Sequence, residues 1–148
     1  MCLRVAYYGV FTKIIRSLLL RWNKKNLTNN TTSTDKGQVS EQYAQQYLVD
    51  QGLVLIEKNF HSRQGEVDLI MLDGDTYVFI EVKYRKNLMF GGAIAAIPLS
   101  KQKRIRHSIS FYLHQTGLNE YNTPCRIDVV ALVGDINQPQ VTWLKNAF

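Results

Sequence analysis

Two cysteines are all the sequence contains, Cys2 and Cys125. They stand far apart, one at the extreme N-terminus, so they form no disulfide framework and cannot supply a four-thiolate zinc site. This usage suits a reducing compartment, and the expectation is a cytoplasmic protein. No run of about 18 uncharged apolar residues occurs, which leaves no candidate membrane span in the sequence. Internal repeats are absent. Acidic residues are missing from residues 82–119, a stretch that holds seven bases, Lys83, Arg85, Lys86, Lys101, Lys103, Arg104 and Arg106. Such a stretch suits an anionic partner, although a solvated helix face produces the same count.

What is present is enough apolar material for one domain. The chain has 148 residues, 45% hydrophobic and 20% charged, which is too short for two ordinary domains and rich enough for a real core. The net charge of +6 is carried entirely by residues 1–36, and residues 37–148 are neutral. The folded part is therefore not basic as a whole. It is polarised, with eight acids and two bases in residues 37–81 before the acid-free stretch.

Residues 3–22 repeat apolar side chains at helical spacing. At roughly 100° per residue, Tyr7, Phe11, Ile14, Ile15, Leu18, Leu19 and Trp22 share one side, and Lys13, Arg16 and Arg21 the other. A basic amphipathic helix of this kind fits peripheral contact with an anionic membrane or a partner. Loose packing on the domain and a downstream start codon are the competing readings. Charges within the apolar region, and no small-residue cleavage site after it, argue against a signal peptide. Residues 23–36 form a polar linker. Residues 1–36 are thus expected as an extension, and residues 37–148 as the domain proper.

In the domain, Asp35 is placed as the cap of a helix that carries Val39, Tyr43, Tyr47 and Leu48 and ends at Gly52. Strands are expected over residues 53–60, 66–72 and 77–84, the second and third joined by the turn Asp73-Gly74-Asp75-Thr76. A loop with Gly91-Gly92 follows. A second helix runs over residues 100–115 with the stripe Ile105, Ile109, Tyr112 and Leu113, and stops at Gly117. Two short strands, 126–133 and 141–144, complete an α/β order of helix, three antiparallel strands, helix, strand, strand.

The chemistry concentrates in Gly65-Glu66-Val67-Asp68 and Ile80-Glu81-Val82-Lys83. Side chains alternate along a strand, which places Glu66 with Asp68 and Glu81 with Lys83. Pairing Leu72 with Tyr77 sets Asp68 opposite Glu81. A tighter Asp73-Gly74 turn sets Phe79 opposite Asp68 and makes Glu81 its diagonal neighbour. Either register leaves Asp68, Glu81 and Lys83 on one face. Opposed carboxylates destabilise a hairpin unless something compensates. A Mg²⁺ or Mn²⁺ ion is the natural compensation, since such ions accept one or two carboxylates plus water and phosphate oxygens. The competing reading is a surface hairpin held by exposed ion pairs such as Glu66 with Lys83.

These residues resemble the PD-(D/E)xK nuclease superfamily and, more narrowly, the YraN family of small bacterial proteins. The resemblance covers nearly all of residues 37–148. It runs through Gly37, Glu41, Ala44, Leu48, Gly52, Asn59-Phe60, Arg63 and Gly65-Glu66-Val67-Asp68. It continues with Phe79 to Arg85, Gly91, Lys101-Gln102, Arg104, Arg126-Ile127-Asp128-Val129-Val130 and Asn146-Ala147-Phe148. It implies a restriction endonuclease-like core, a mixed sheet with helices on its faces, and an endonuclease acting on nucleic acid. Asp68 and Glu81 match the metal ligands, with the Val82 carbonyl completing the shell and Lys83 as the catalytic lysine. Glu41 matches an acid that resolvase-like members bring from the first helix; an ordinary exposed helix Glu is the alternative.

Lys101 precedes Ile105 by one helical turn and so extends the apolar stripe, where it can reach a phosphate. Gln102 and Arg104 accompany it, and Arg63 and Arg85 flank the hairpin as further phosphate contacts. A solvated helix start accounts equally for Lys101, Gln102 and Arg104. DNA is favoured over RNA, in a structure-selective mode, and a homodimer follows by analogy with resolvases. A module of the same fold that binds nucleic acid or protein without cleaving is the alternative function. His61 replaces an arginine common in relatives, Val67 replaces isoleucine, and the basic extension is atypical. Asp128 is expected to pair with Arg126 as a structural contact. Tyr84, Phe90 and Trp143 serve either base stacking or core packing, with packing favoured.

Overall fold

Continuous buried runs at residues 69–71, 78–81 and 127–132 mark a sheet that is covered on both faces. A computed structural model of the protein describes residues 33–87 and 97–148. The expected helix over residues 3–22 and the Gly91-Gly92 loop lie outside the described residues. The elements are α1 (Ser33–Asp50), β1 (Val54–His61), β2 (Glu66–Asp73), β3 (Thr76–Arg85), α2 (Leu99–Gln115), β4 (Cys125–Val133) and β5 (Gln140–Leu144). The five strands form one mixed sheet in the order β1-β2-β3-β4-β5. Neighbours are antiparallel except β3 and β4, which run parallel. A parallel pair needs a crossover, and α2 lies in it.

Each helix covers one face. Ala44 and Leu48 of α1 pack with Leu69, Met71, Val78, Ile80, Val130 and Leu132. Ile105, Ile109, Tyr112 and Leu113 of α2 pack with Phe60, Val67, Ile70, Phe79 and Ile127 on the other face. The α2 stripe is the one expected from its spacing. Asp35, expected at the start of α1, lies within the helix, which is described from Ser33.

Both helices end by the same device. Leu53 N–H donates to the Leu48 carbonyl at 3.1 Å and Gly52 N–H to that of Val49 at 2.9 Å. Leu118 and Gly117 repeat this on Leu113 and His114, at 2.8 and 3.2 Å. Gly52 and Gly117 have φ of 98° and 72°, the left-handed conformation this cap requires. Each end thereby turns the chain back to the sheet with a leucine tucked inward.

The β2–β3 register is the one that pairs Leu72 with Tyr77. The ladder runs from Asp73↔Thr76 to Leu69↔Ile80 and stops there, while β2 stays paired to β1 as far as His61↔Glu66. The two central strands therefore part just where Asp68 and Glu81 meet.

Candidate active site

Strict alternation does not hold through this opening. Leu69 belongs to the α1-side core and Val67 to the α2-side core, although both are odd-numbered residues of one strand. The β1 register places Asn59 across from Asp68, between the pairs Lys58↔Leu69 and Phe60↔Val67. Asn59 has φ of 55°, which Asn tolerates better than other L residues. The left-handed residue resets the alternation of β1, and β2 follows.

Asp68 consequently turns toward β3. Its Oδ2 accepts a hydrogen bond of 2.7 Å from the backbone N–H of Val82. A side chain thus replaces the ladder bond that the parting strands no longer make. The N–H and C=O of a strand residue leave on the same side, so the Val82 carbonyl also faces the Asp68 edge. Burial first, and then the Glu81 charge, push the Asp68 carboxyl up to about 7.

Glu81 is 2% exposed and points to the α2 side with Phe79, since Ile80 and Val82 belong to the other face. Lys83 Nζ lies 2.6 Å from its Oε1. Lys101 Nζ, from the first turn of α2, bonds the same oxygen. The second oxygen, Oε2, is buried and has no hydrogen-bond partner. A buried carboxylate oxygen left bare is costly, and with the Asp68 and Glu81 charges close enough to interact, a cation would relieve both.

The donor set fits a hard divalent cation of modest appetite. Asp68, Glu81 Oε2 and the Val82 carbonyl are all oxygen donors, and Mg²⁺ is commonly held by one or two carboxylates plus water. Among the described residues, no group of three Asp, Glu, His or Cys side chains is placed to hold a metal ion. Glu41 is half-buried on α1. Burial raises its pKa, a hydrogen bond from the Asn59 side chain opposes this, and the charges of Glu66 and Glu81 add to the rise. It contributes negative field from the α1 layer.

A family model described as "Uncharacterised protein family UPF0102" matches residues 40–132. The chain belongs to the UPF0102 family. A UPF0102 protein of Colwellia psychrerythraea is 76% identical over 127 residues, covering 86% of this chain and 98% of the relative. One from Pseudoalteromonas translucida is 46% identical over 129 residues, covering 87% and 100%. One from Nitrosococcus oceani is 44% identical over 117 residues, covering 79% and 94%. Glu41, Asn59, Asp68, Glu81, Lys83 and Lys101 all fall inside the span matched by the UPF0102 model.

The expected nucleic-acid contacts divide. Lys101 and Arg104 line an open cleft of about 340 Å³ with Ser62, Gly65 and Glu66. Arg63 is exposed in the turn beside it, and Arg85 is exposed at the end of β3. Gln102 instead donates its side-chain amide to the Ile97 carbonyl at 3.0 Å and ties down the approach to α2. Gly65 explains how that helix comes so close. A Cβ there would stand 3.1 Å from Arg104 Cβ and Ser108 Oγ. Ser62 and Ser108 hydroxyls meet at 2.9 Å in the same seam.

Asp128 has a wholly structural environment. It is 0% exposed and receives Arg126 Nε at 3.1 Å, Trp143 Nε1 at 3.0 Å and Asn146 N–H at 2.8 Å. Arg126 also reaches Asp73 at 2.8 Å. This cluster pins the β2–β3 turn and the C-terminal segment to β4, where Asp128 pairs with Ile80, the residue before Glu81. Trp143 spends its N–H there. Tyr84 spends its hydroxyl on the Gly134 carbonyl at 2.9 Å. Among the described residues, no helix is long and apolar enough to cross a membrane.

Proposed function

We propose that this protein is a nucleic-acid-binding, Mg²⁺- or Mn²⁺-dependent endonuclease of PD-(D/E)xK type, acting on DNA by recognition of structure. The observation that carries the reading is the bare Oε2 of buried Glu81 beside Asp68, with Lys83 on the other oxygen of the same carboxylate. Two carboxylates and a lysine stand together at the parting of two strands. Asp68, Glu81 and the Val82 carbonyl would hold the cation. When bound, it would polarise the phosphodiester and lower the pKa of a bound water. Lys83, fixed by Glu81, holds an ammonium where it can donate to the attacking water or to the charge that develops on phosphate. Arg63, Arg104 and Arg85 supply phosphate contacts around the cleft.

A second reading has its own observation. Two ammonium groups already neutralise Glu81 without any ion, so the domain can stand as a binding module that does not cleave.

Cleavage assays separate the two. Single-stranded, duplex, flap and four-way-junction DNA, and RNA, are incubated with Mg²⁺ or Mn²⁺. The nuclease reading expects cleavage that EDTA abolishes and that Asp68→Ala and Lys83→Ala each lower by about 10²-fold or more while folding is kept. Binding without cleavage on every substrate selects the module instead. Cleavage that survives both substitutions contradicts the assignment of the site.

A further inference from the structure

Lys101 reaches Glu81 from a different layer than Lys83 does. Lys83 shares β3 with the carboxylate, two residues away. Lys101 stands in the first turn of α2, at the positive end of the helix dipole, where a cation is disfavoured. Helix stability therefore does not account for it. No acidic residue occupies that first turn to compensate. Both ammoniums crowd onto Oε1 and leave Oε2 bare. With both carboxylates ionised, the four side chains sum to zero charge. A divalent cation at Oε2 would leave the group at +2, with two ammoniums close by, and repulsion in a half-buried site is strong. One ammonium must then move. Lys83 is tethered on the strand, whereas Lys101 lines the open cleft next to Arg104 and has space to turn into.

We propose that Lys101 is a built-in counter-ion. It neutralises Glu81 while no divalent cation is bound, competes with the cation for that carboxylate, and swings into the cleft to meet a substrate phosphate once the cation holds Glu81. Lys101 is in this sense a positioning residue for Glu81 and, after release, an anchor for phosphate. Nucleic-acid phosphates then join the nearby carboxylates of Glu41 and Glu66 in offsetting the surplus positive charge. This inference rests on the reading of Asp68 and Glu81 as a cation site.

The test is a Mn²⁺ titration of the DNA-free full-length protein, with free Mn²⁺ followed by electron paramagnetic resonance. Lys101→Met is expected to bind Mn²⁺ roughly tenfold tighter than wild type, as removal of a charged competitor would give. Lys101→Gln repeats the gain in a second background, with folding followed by near-UV circular dichroism. Lys101→Arg stays near wild type. A merely structural role for Lys101 would weaken Mn²⁺ binding in Lys101→Met instead. Duplex DNA binding, read by fluorescence anisotropy with Ca²⁺ present, is expected to fall in Lys101→Met, and to fall less without a divalent cation. Mn²⁺ affinity in Lys101→Met and Lys101→Gln equal to or below that of wild type overturns the counter-ion role, and Asp68-dependent binding by wild type leaves the cation site standing. Absence of Mn²⁺ binding in wild type and in both variants overturns both. Tighter Mn²⁺ binding with DNA affinity unchanged under both conditions overturns the hand-over to phosphate.

Discussion

Asp68 accepts the backbone N–H of Val82 at 2.7 Å, across the point where β2 and β3 cease to pair. The bond does two things at once. It satisfies a strand amide that has lost its ladder partner, and it holds a carboxylate against buried Glu81. A site built this way lowers the stability of the metal-free fold, and that cost is measurable.

The Asp68 carboxyl, raised from 3.8 to about 7, keeps its proton in the native state over a range in which the unfolded chain has lost it. The native state then binds more protons, so stability falls as pH rises from about 4 to 7. Asp68→Asn should remove this loss and raise metal-free stability at pH 8, on the order of 3 kcal/mol. Thermal denaturation in EDTA at pH 5 and pH 8 reads it. Identical pH profiles for variant and wild type would contradict the assignment.

Gly65→Ala tests the close approach of α2. The new methyl would stand 3.1 Å from Arg104 Cβ and Ser108 Oγ and 3.2 Å from the Arg104 carbonyl. The helix must give by a few tenths of an ångström, at a cost of about 1–3 kcal/mol in urea unfolding. An unchanged midpoint would show that the seam is looser than described.

Asp128→Ala removes the acceptor of three donors at once. Arg126 keeps only Asp73, and the Trp143 N–H is left without its partner. The expected loss is about 3–5 kcal/mol, as for other buried charges deprived of a partner. Trp143 fluorescence should shift, because the indole loses its hydrogen bond. A variant as stable as wild type would refute the structural role.

Phosphate contacts have a salt signature. Each of Arg63→Ala, Arg85→Ala and Arg104→Ala should lower the slope of log affinity against log salt for duplex DNA by about 0.9. Gln102→Ala, whose amide is occupied by Ile97, should leave that slope alone. A uniform effect of all four would mean that general unfolding, not phosphate contact, is being read.

Much of this molecule is legible in its sequence, for local reasons. The helix stops follow from Gly52 and Gly117 and the α2 stripe from its period, while the turn residues leave two β2–β3 registers open, of which the structure adopts Leu72↔Tyr77. The convergence of Asp68, Glu81 and Lys83 is legible because either register leaves them on one face. The reset at Asp68 is not legible, because it depends on Asn59 adopting φ of 55° within a strand. The only hint is an asparagine, the residue type that tolerates this conformation, among strand formers. The partnership of Lys101 with Glu81 joins residues on different layers, which no periodicity connects. Its only trace is that Lys101 prolongs the apolar stripe of α2. Of the Asp128 cluster the Arg126 pair is legible, and the rest is hidden for the same reason, since Asp73, Trp143 and Asn146 reach it from three separate segments.

The central claim is that Asp68 and Glu81 hold a divalent cation. Crystals soaked in Mn²⁺ and measured for anomalous scattering test it most directly. The account predicts one strong peak bonded by Asp68, by Glu81 Oε2 and by the Val82 carbonyl, with Lys101 turned away from Glu81. A Mn²⁺ peak elsewhere, or none while Lys83 and Lys101 stay on Glu81, would contradict it.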